Sequence, residues 1–259
     1  MNLQTKLVFI TDADSLSGKT MIARLARDGT HFILNSSSGG LELSAELELV
    51  HRAGLKAIVV NIDLCNSHEI EDMLQHAEQE LGTVDVLVHN NQEITPSTIE
   101  YGEEEQFLSS IAVNAKSAFF CTQAVGKQMM KSHAGKIIFV SSIHAEKPTG
   151  SAFTYSIAKG AVKMLAKEAA LALGRYGVSV NTIELGPLPG DDERFRSTLS
   201  TLYDHYEYKV PDAVLGSDEN LAELVAFLSS DDSRYINGSD IRLDGGFLLH
   251  YMNFKMKQP

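Results

Sequence analysis

The chain has 259 residues, 44% hydrophobic and 22% charged, a composition that supplies a sizeable α/β core and excludes a disordered chain. Its 34 acidic against 22 basic residues give a formal net charge of −12, which sets it against phosphate backbones and anionic membranes, so neither nucleic acid nor a membrane is an expected partner. The two cysteines, Cys65 and Cys121, have neither CxxC nor zinc-ligand spacing, which excludes a disulfide framework and makes a reducing cytoplasm the expected compartment.

The first element is the apolar run Leu7-Val8-Phe9-Ile10, shorter than a signal-peptide core. Phe32-Ile33-Leu34, Ala57-Ile58-Val59-Val60, the segment Val84 to Val88, Ile137-Ile138-Phe139-Val140 and Val178-Ser179-Val180 repeat the pattern and predict buried parallel strands. Between them, Thr20 to Asp28, Leu41 to Arg52 and Glu69 to Leu81 have helical apolar spacing and end near Gly29, Gly54 and Gly82, where a left-handed cap fits. Two longer helices are expected, from about Glu103 to Lys131 and from about Ala152 to Tyr176. Strand followed by helix, repeated without linker or internal repeat, predicts a single doubly wound α/β domain over residues 1–259, with helices on both faces of the sheet. Residues 186–212, which hold three of the six prolines and Tyr203, Tyr206 and Tyr208, are the least regular stretch and a candidate substrate-side flap.

Tyr155 and Lys159 are four residues apart, which stacks a phenol and an ammonium on one helix face. A phenol is a poor acid or base at neutral pH, and a fixed cation beside it favours its phenolate. Helices hold such pairs by chance, but here the preceding strand ends in Ser141-Ser142, and active sites of doubly wound sheets lie beyond the carboxyl ends of strands. The Ser142 hydroxyl is placed to orient a carbonyl oxygen while Tyr155 moves the proton, or, alternatively, to satisfy strand-end amides. His144 lies just beyond, as a candidate substrate contact or a rim histidine facing water. None of the nine histidines forms an HxxxH or HxH pair, and no metal is expected.

With these residues in order, the sequence resembles the short-chain dehydrogenase/reductase family over nearly its whole length. Val113-Asn114-Ala115-Lys116-Ser117, Asp85-Val86-Leu87-Val88, Val180-Asn181-Thr182-Ile183 and Leu243-Asp244-Gly245-Gly246 match further family landmarks. The resemblance implies a Rossmann-type parallel sheet of about seven strands in the order 3-2-1-4-5-6-7. It also implies a homotetramer and an NAD(P)-dependent oxidoreductase interconverting a carbonyl and a secondary alcohol. Carried over residue by residue, Tyr155 is the general acid/base, Lys159 lowers its pKa and holds the nicotinamide ribose, Ser142 orients the carbonyl, and Asn114 supports a proton relay. An Asn within a helix also has a plainer role, bonding backbone or water.

The nucleotide loop departs from the family's Thr-Gly-x3-Gly-x-Gly. In Thr11-Asp12-Ala13-Asp14-Ser15-Leu16-Ser17-Gly18 only Thr11 and Gly18 keep their types, Asp12 and Leu16 replace the first two glycines, and Asp14 adds a second carboxylate. His89-Asn90-Asn91-Gln92 stands where Asn-Asn-Ala-Gly is expected, and Gly190 where a Thr is common. The resemblance still places cofactor contacts at Thr11, Ser17, Gly18, Ser36, Ser37, Asp63, Leu64, Asn90, Tyr155, Lys159 and Gly186. Asn35-Ser36-Ser37-Ser38, which lacks an acidic residue for the ribose 2′-hydroxyl, favours NADP over NAD. The competing expectation is a non-catalytic binding or assembly protein that kept the fold while dinucleotide binding was impaired.

Overall fold

The computed structural model describes residues 3–148, 150–189, 191 and 209–249. Seven parallel strands form one sheet: β1 (Leu7–Ile10), β2 (His31–Asn35), β3 (Ala57–Val60), β4 (Val86–His89), β5 (Gly135–Ser142), β6 (Val178–Leu185) and β7 (Asp240–Leu243). Their order is β3-β2-β1-β4-β5-β6-β7, as the family resemblance implies. The strands read as unbroken apolar runs because both faces of the sheet are buried. Successive side chains alternate between the faces. Phe9, Ile33, Leu87, Ile137 and Phe139 point into one core, and Val8, Ile10, Phe32, Leu34, Val88 and Val140 into the other.

Helices α3 (Ser67–Leu81), α5 (Ser117–Ser132) and α6 (Phe153–Gly174) cover the first face. Helices α1 (Leu16–Ala26), α2 (Ser44–Arg52) and α7 (Asp218–Ser229) cover the second. The predicted glycine stops hold, with positive φ at Gly29 (84°), Gly54 (70°) and Gly82 (94°).

Two predicted elements differ from the observed ones. The helix expected from Glu103 to Lys131 is continuous but widens, passing from α4 (Glu104–Ile111) into α5 through a π-turn over Ala112–Lys116. The sixth strand runs on to Leu185, five residues past the apolar run that marked it, because Asn181, Thr182 and Glu184 are buried with partners of their own. The aromatic trio Tyr203, Tyr206 and Tyr208, residue Gly190 and most of the expected flap lie outside the described residues, as does the tail beyond Leu249.

The strand order reverses between β1 and β4, and a crevice opens there beyond their carboxyl ends. The loop Thr11–Ser15 enters it from β1, and Asn90 to Glu93 enter it from β4.

Candidate active site

Ser142 is the last residue of β5 and pairs in register with Leu185, whose side chain lines the crevice. Its Oγ accepts the His144 N–H at 3.2 Å and so caps a short 3-10 turn over Ile143–Ala145. The strand-end role considered for Ser142 is therefore real. It uses a lone pair only, and leaves the hydroxyl proton to donate.

Tyr155 and Lys159 lie in the first two turns of α6 and are buried, at 1% and 0% exposure. The start of α6 is fixed from a distance by Ser97, which bridges to Ala152 and whose Oγ accepts the Thr154 N–H at 3.2 Å. That clamp satisfies a helix-end amide that has no partner within the helix, and nothing in the local sequence signals it.

Lys159 Nζ donates to the carbonyls of Asn91, at 2.7 Å, and Val140, at 3.2 Å, and stands 5.5 Å from the centre of the Tyr155 ring. Burial, with no carboxylate partner among the described residues, lowers its pKa to about 7. His144 packs edge-on against Tyr155, with ring centres 5.9 Å apart, and burial lowers its pKa to about 4. It is a buried neutral neighbour of the phenol, and the expectation of a rim histidine facing water does not hold.

Asn114 sits in the π-turn and is fully buried. Its Nδ2 donates to the carbonyls of Glu93 and Ser110, each at 3.0 Å, and its Oδ1 accepts the Glu93 N–H at 3.3 Å. The side chain is spent on backbone and ties the segment after β4 to the helix below it. His89 underlies the same turn: its Nε2 lies 2.8 Å from Ser117 Oγ, which donates to the Val113 carbonyl at 2.5 Å. Because that hydroxyl proton is taken, His89 Nε2 carries its own proton, and burial, followed by the charge of Lys159, lowers the His89 pKa to about 3.

The nucleotide loop is clasped by Asn90, whose Oδ1 accepts the Asp12 N–H at 2.9 Å and whose Nδ2 donates to the Asp12 carbonyl at 2.7 Å. Thr11 is buried and donates its hydroxyl proton to Asn91 Oδ1 at 2.6 Å. Asp12 Oδ1 accepts the Ser15 N–H at 3.3 Å. Burial raises the Asp12 pKa, against the opposing effect of that amide.

Ser15 Oγ caps α1 by accepting the Gly18 N–H. Gly18 retains the tight turn, since a Cβ there would lie 2.2 Å from the Asp12 carbonyl oxygen. Leu16 is 69% exposed and lines the mouth of the same cleft as Asp12 and Ser15. Ser17 Oγ lies 3.2 Å from Ser15 Oγ.

Other expected contacts are more committed to the protein itself. The Ser36 and Ser37 hydroxyls donate to the Asp14 carboxylate at 2.7 and 2.9 Å. Asp63 closes a local turn onto the Cys65 amide, and the Leu64 side chain is buried in the core. Gly186 is required by packing, because a Cβ there would meet Asp244 Cα at 2.5 Å.

Together Asp12, Ser15, Asn90, Gln92, Glu93 and Leu185 help line a cleft of ≈ 400 Å³, with Leu188, Pro189 and Asp218 along its outer wall. Three of the lining residues are carboxylates, and none of those described is Lys or Arg. A feature that motif reading misses is Glu184, a fully buried carboxylate in β6 that pairs with Lys163, one turn beyond Lys159. Its signal was a charged residue inside an apolar strand.

The enoyl-(acyl carrier protein) reductase family model matches residues 17–248, beginning just after the altered part of the loop. The chain is 31% identical to 5-keto-D-gluconate 5-reductase of Escherichia coli strain K12, over 93% of this chain and 99% of that protein. It is 28% identical to a 3-oxoacyl-(acyl-carrier-protein) reductase of Staphylococcus epidermidis, over 94% of this chain and 99% of that one. A short-chain type dehydrogenase/reductase from Mycobacterium marinum superposes with a TM-score of 0.85 at 25% identity, covering 95% of this chain and 96% of the other. With the sheet order, the placement of Ser142, Tyr155 and Lys159 and these matches in agreement, the chain belongs to the short-chain dehydrogenase/reductase family.

Proposed function

We propose that the protein is an NAD(P)-dependent oxidoreductase that interconverts a carbonyl and a secondary alcohol, with Tyr155 as general acid/base. The observation that carries this reading is the burial of Tyr155 beside Lys159 at the carboxyl end of β5, with the Lys159 ammonium held only by the carbonyls of Asn91 and Val140 in the contacts described. Burying that cation is costly, and its place beside the phenol gives it a chemical use.

The residues present fit a dinucleotide. Gly18 keeps the close turn of the cradle, and the first amides of α1, at Leu16 and Ser17, have no partner among the described residues. The cleft beside them has room for a diphosphate, and the Asp12 carboxylate on its wall is turned in part to the Ser15 amide.

When bound, the nicotinamide supplies or accepts the hydride. In the reducing direction Tyr155 Oη delivers a proton to the carbonyl oxygen, and in the oxidising direction it removes the proton from the hydroxyl. Lys159 Nζ, when charged, stabilises the phenolate left behind, and the Ser142 hydroxyl donates to the same substrate oxygen. His144 walls the phenol on one side, and Asn114 positions the backbone at Glu93. The substrate is a small carbonyl or alcohol compound. The name of one relative, a ketogluconate reductase, supports that class, and that of the other, a 3-oxoacyl-(acyl-carrier-protein) reductase, supports carbonyl reduction.

A second reading is favoured by one observation. Asp12 uses its own carboxylate to take the Ser15 amide, and acidic residues line the cleft, so the chain is also suited to a binding or assembly role without dinucleotide. Titration of the protein with NADH and NADPH, followed by nicotinamide fluorescence, separates the two. Saturable binding together with nucleotide-dependent carbonyl reduction supports the enzyme. No binding of either nucleotide at millimolar concentration overturns it.

A further inference from the structure

In doubly wound dinucleotide folds, the residues at the end of the second strand meet the adenosine ribose, and an acidic side chain there takes the 2′-hydroxyl. The segment after β2, Ser36-Ser37-Ser38, has no acidic residue. Read alone, it offers three hydroxyls to a 2′-phosphate.

The structure gives those hydroxyls another partner. Asp14, on the loop after β1, reaches across to them. Its Oδ1 accepts Ser36 Oγ–H at 2.7 Å and lies 3.1 Å from Ser38 Oγ, and its Oδ2 accepts Ser37 Oγ–H at 2.9 Å and Ser38 N–H at 3.0 Å. Ser36 is completed on its other side by the Gly40 amide, which donates to it at 2.8 Å, and Ser38 by the Glu42 amide at 3.1 Å. The two loops are sewn together by Ala13 N–H to the Asn35 carbonyl, at 3.0 Å, and by Asn35 Nδ2 to the Thr11 carbonyl, at 3.2 Å. Against the desolvation that acts the other way, the serine hydroxyls and the Ser38 amide hold the Asp14 carboxyl below the usual carboxylate range, so it is an anion at neutral pH. No Lys or Arg pairs with it among the described residues; the nearby Lys19 is paired with Glu42. The serine loop is thus an anion site whose anion is built in.

We propose that Asp14 selects the dinucleotide, accepting the free 2′-hydroxyl of NAD(H) and rejecting the 2′-phosphate of NADP(H). This rests on the reading that the chain binds a nicotinamide dinucleotide. A 2′-phosphate at this edge meets a fixed carboxylate and serines whose protons are already given away, and with no compensating cation it must expel Asp14 to bind. A 2′-hydroxyl brings a proton that the carboxylate can accept in place of that of Ser37, the exposed member of the set. The selectivity that relatives of this fold place at the end of the second strand comes here from the first loop.

The test is the affinity of the full chain for NADH and NADPH by fluorescence titration, in wild type and in Asp14→Asn. The wild type is expected to bind NADH at least about tenfold more tightly. In the variant, which keeps the side-chain shape and loses the charge, the ratio should fall by about tenfold. A second measurement needs no variant: adenosine 2′,5′-bisphosphate should displace NADH from the wild type at least about tenfold less effectively than 5′-AMP. Equal or tighter binding of NADPH, a ratio unchanged by Asp14→Asn, or equal displacement by the two adenosine nucleotides overturns the assignment of Asp14 while leaving the oxidoreductase reading intact. Absence of binding by both dinucleotides overturns the oxidoreductase reading, and the assignment with it.

Discussion

Lys159 Nζ donates to the Asn91 carbonyl at 2.7 Å, which ties the helix bearing the proposed acid/base to the segment that enters the cleft from β4. The ammonium is thereby fixed beside Tyr155 with no carboxylate among the described residues to neutralise it. Its replacement in Lys159→Met should lower turnover by about 10²-fold or more while the fold persists. The charge also has a signature in stability. The folded pKa of Lys159, about 7, lies below that of the unfolded chain, so between pH 7 and about 10.4 the unfolded state holds the extra proton and stability rises with pH. Urea denaturation of wild type and Lys159→Met across that range should show the rise in the first and a smaller one in the second.

Tyr155→Phe removes only the phenolic oxygen from a side chain that is 1% exposed. Turnover should fall by about 10³-fold or more, with nucleotide affinity by fluorescence titration within about twofold of wild type. A comparable loss of affinity would move Tyr155 from proton transfer to cofactor binding.

His89 and His144 are held neutral in the fold, with pKa values of about 3 and about 4. Both lie below the unfolded value near 6.5, so the unfolded chain binds more protons as the pH drops. The stability they permit is complete above about pH 6.5 and is lost as pH falls toward 4. Denaturation should show a fall on the order of 5 kcal/mol between pH 7 and pH 4.5, about half from each histidine. His89→Gln, which keeps a donor for Ser117, should show a visibly shallower slope.

Leu108 on α4, Phe119 on α5 and Ile157, Met164 and Leu171 on α6 are each about half exposed or more. Side chains of this size left on helix faces favour burial against further copies of the chain. Light scattering coupled to size exclusion should give a tetramer's mass, and Phe119→Glu together with Leu108→Glu should give a smaller species that retains its helical signal.

Much of this architecture is legible in the sequence because it rests on periodicity. Buried parallel strands leave continuous apolar runs, and Gly29, Gly54 and Gly82 mark helix ends through backbone freedom. Ser142, Tyr155 and Lys159 are legible for a related reason: their spacing alone places them at a strand end and on one helix face. What escaped depends on contacts between distant segments. Ser36 and Ser37 read as open hydroxyls, since nothing within the second strand's own neighbourhood indicates that Asp14 closes on them from 22 residues away. Ser97 carries no local mark of its clamp on α6, and Glu184 looks misplaced in an apolar strand until Lys163 is set beside it. The apolar spacing over Glu103 to Lys131 persists through the π-turn, which periodicity does not resolve.

That π-turn makes the length of the segment as consequential as its side chains. The wide turn takes up one residue more than an α-turn, so α4 and α5 keep their faces on either side of it. Deleting a single residue from Ala112–Lys116 would close it to an α-turn and leave Phe119 and Cys121 on their bearings. The change would fall on the turn itself, where Asn114 holds Glu93. The extra residue thus serves the site more than the helix.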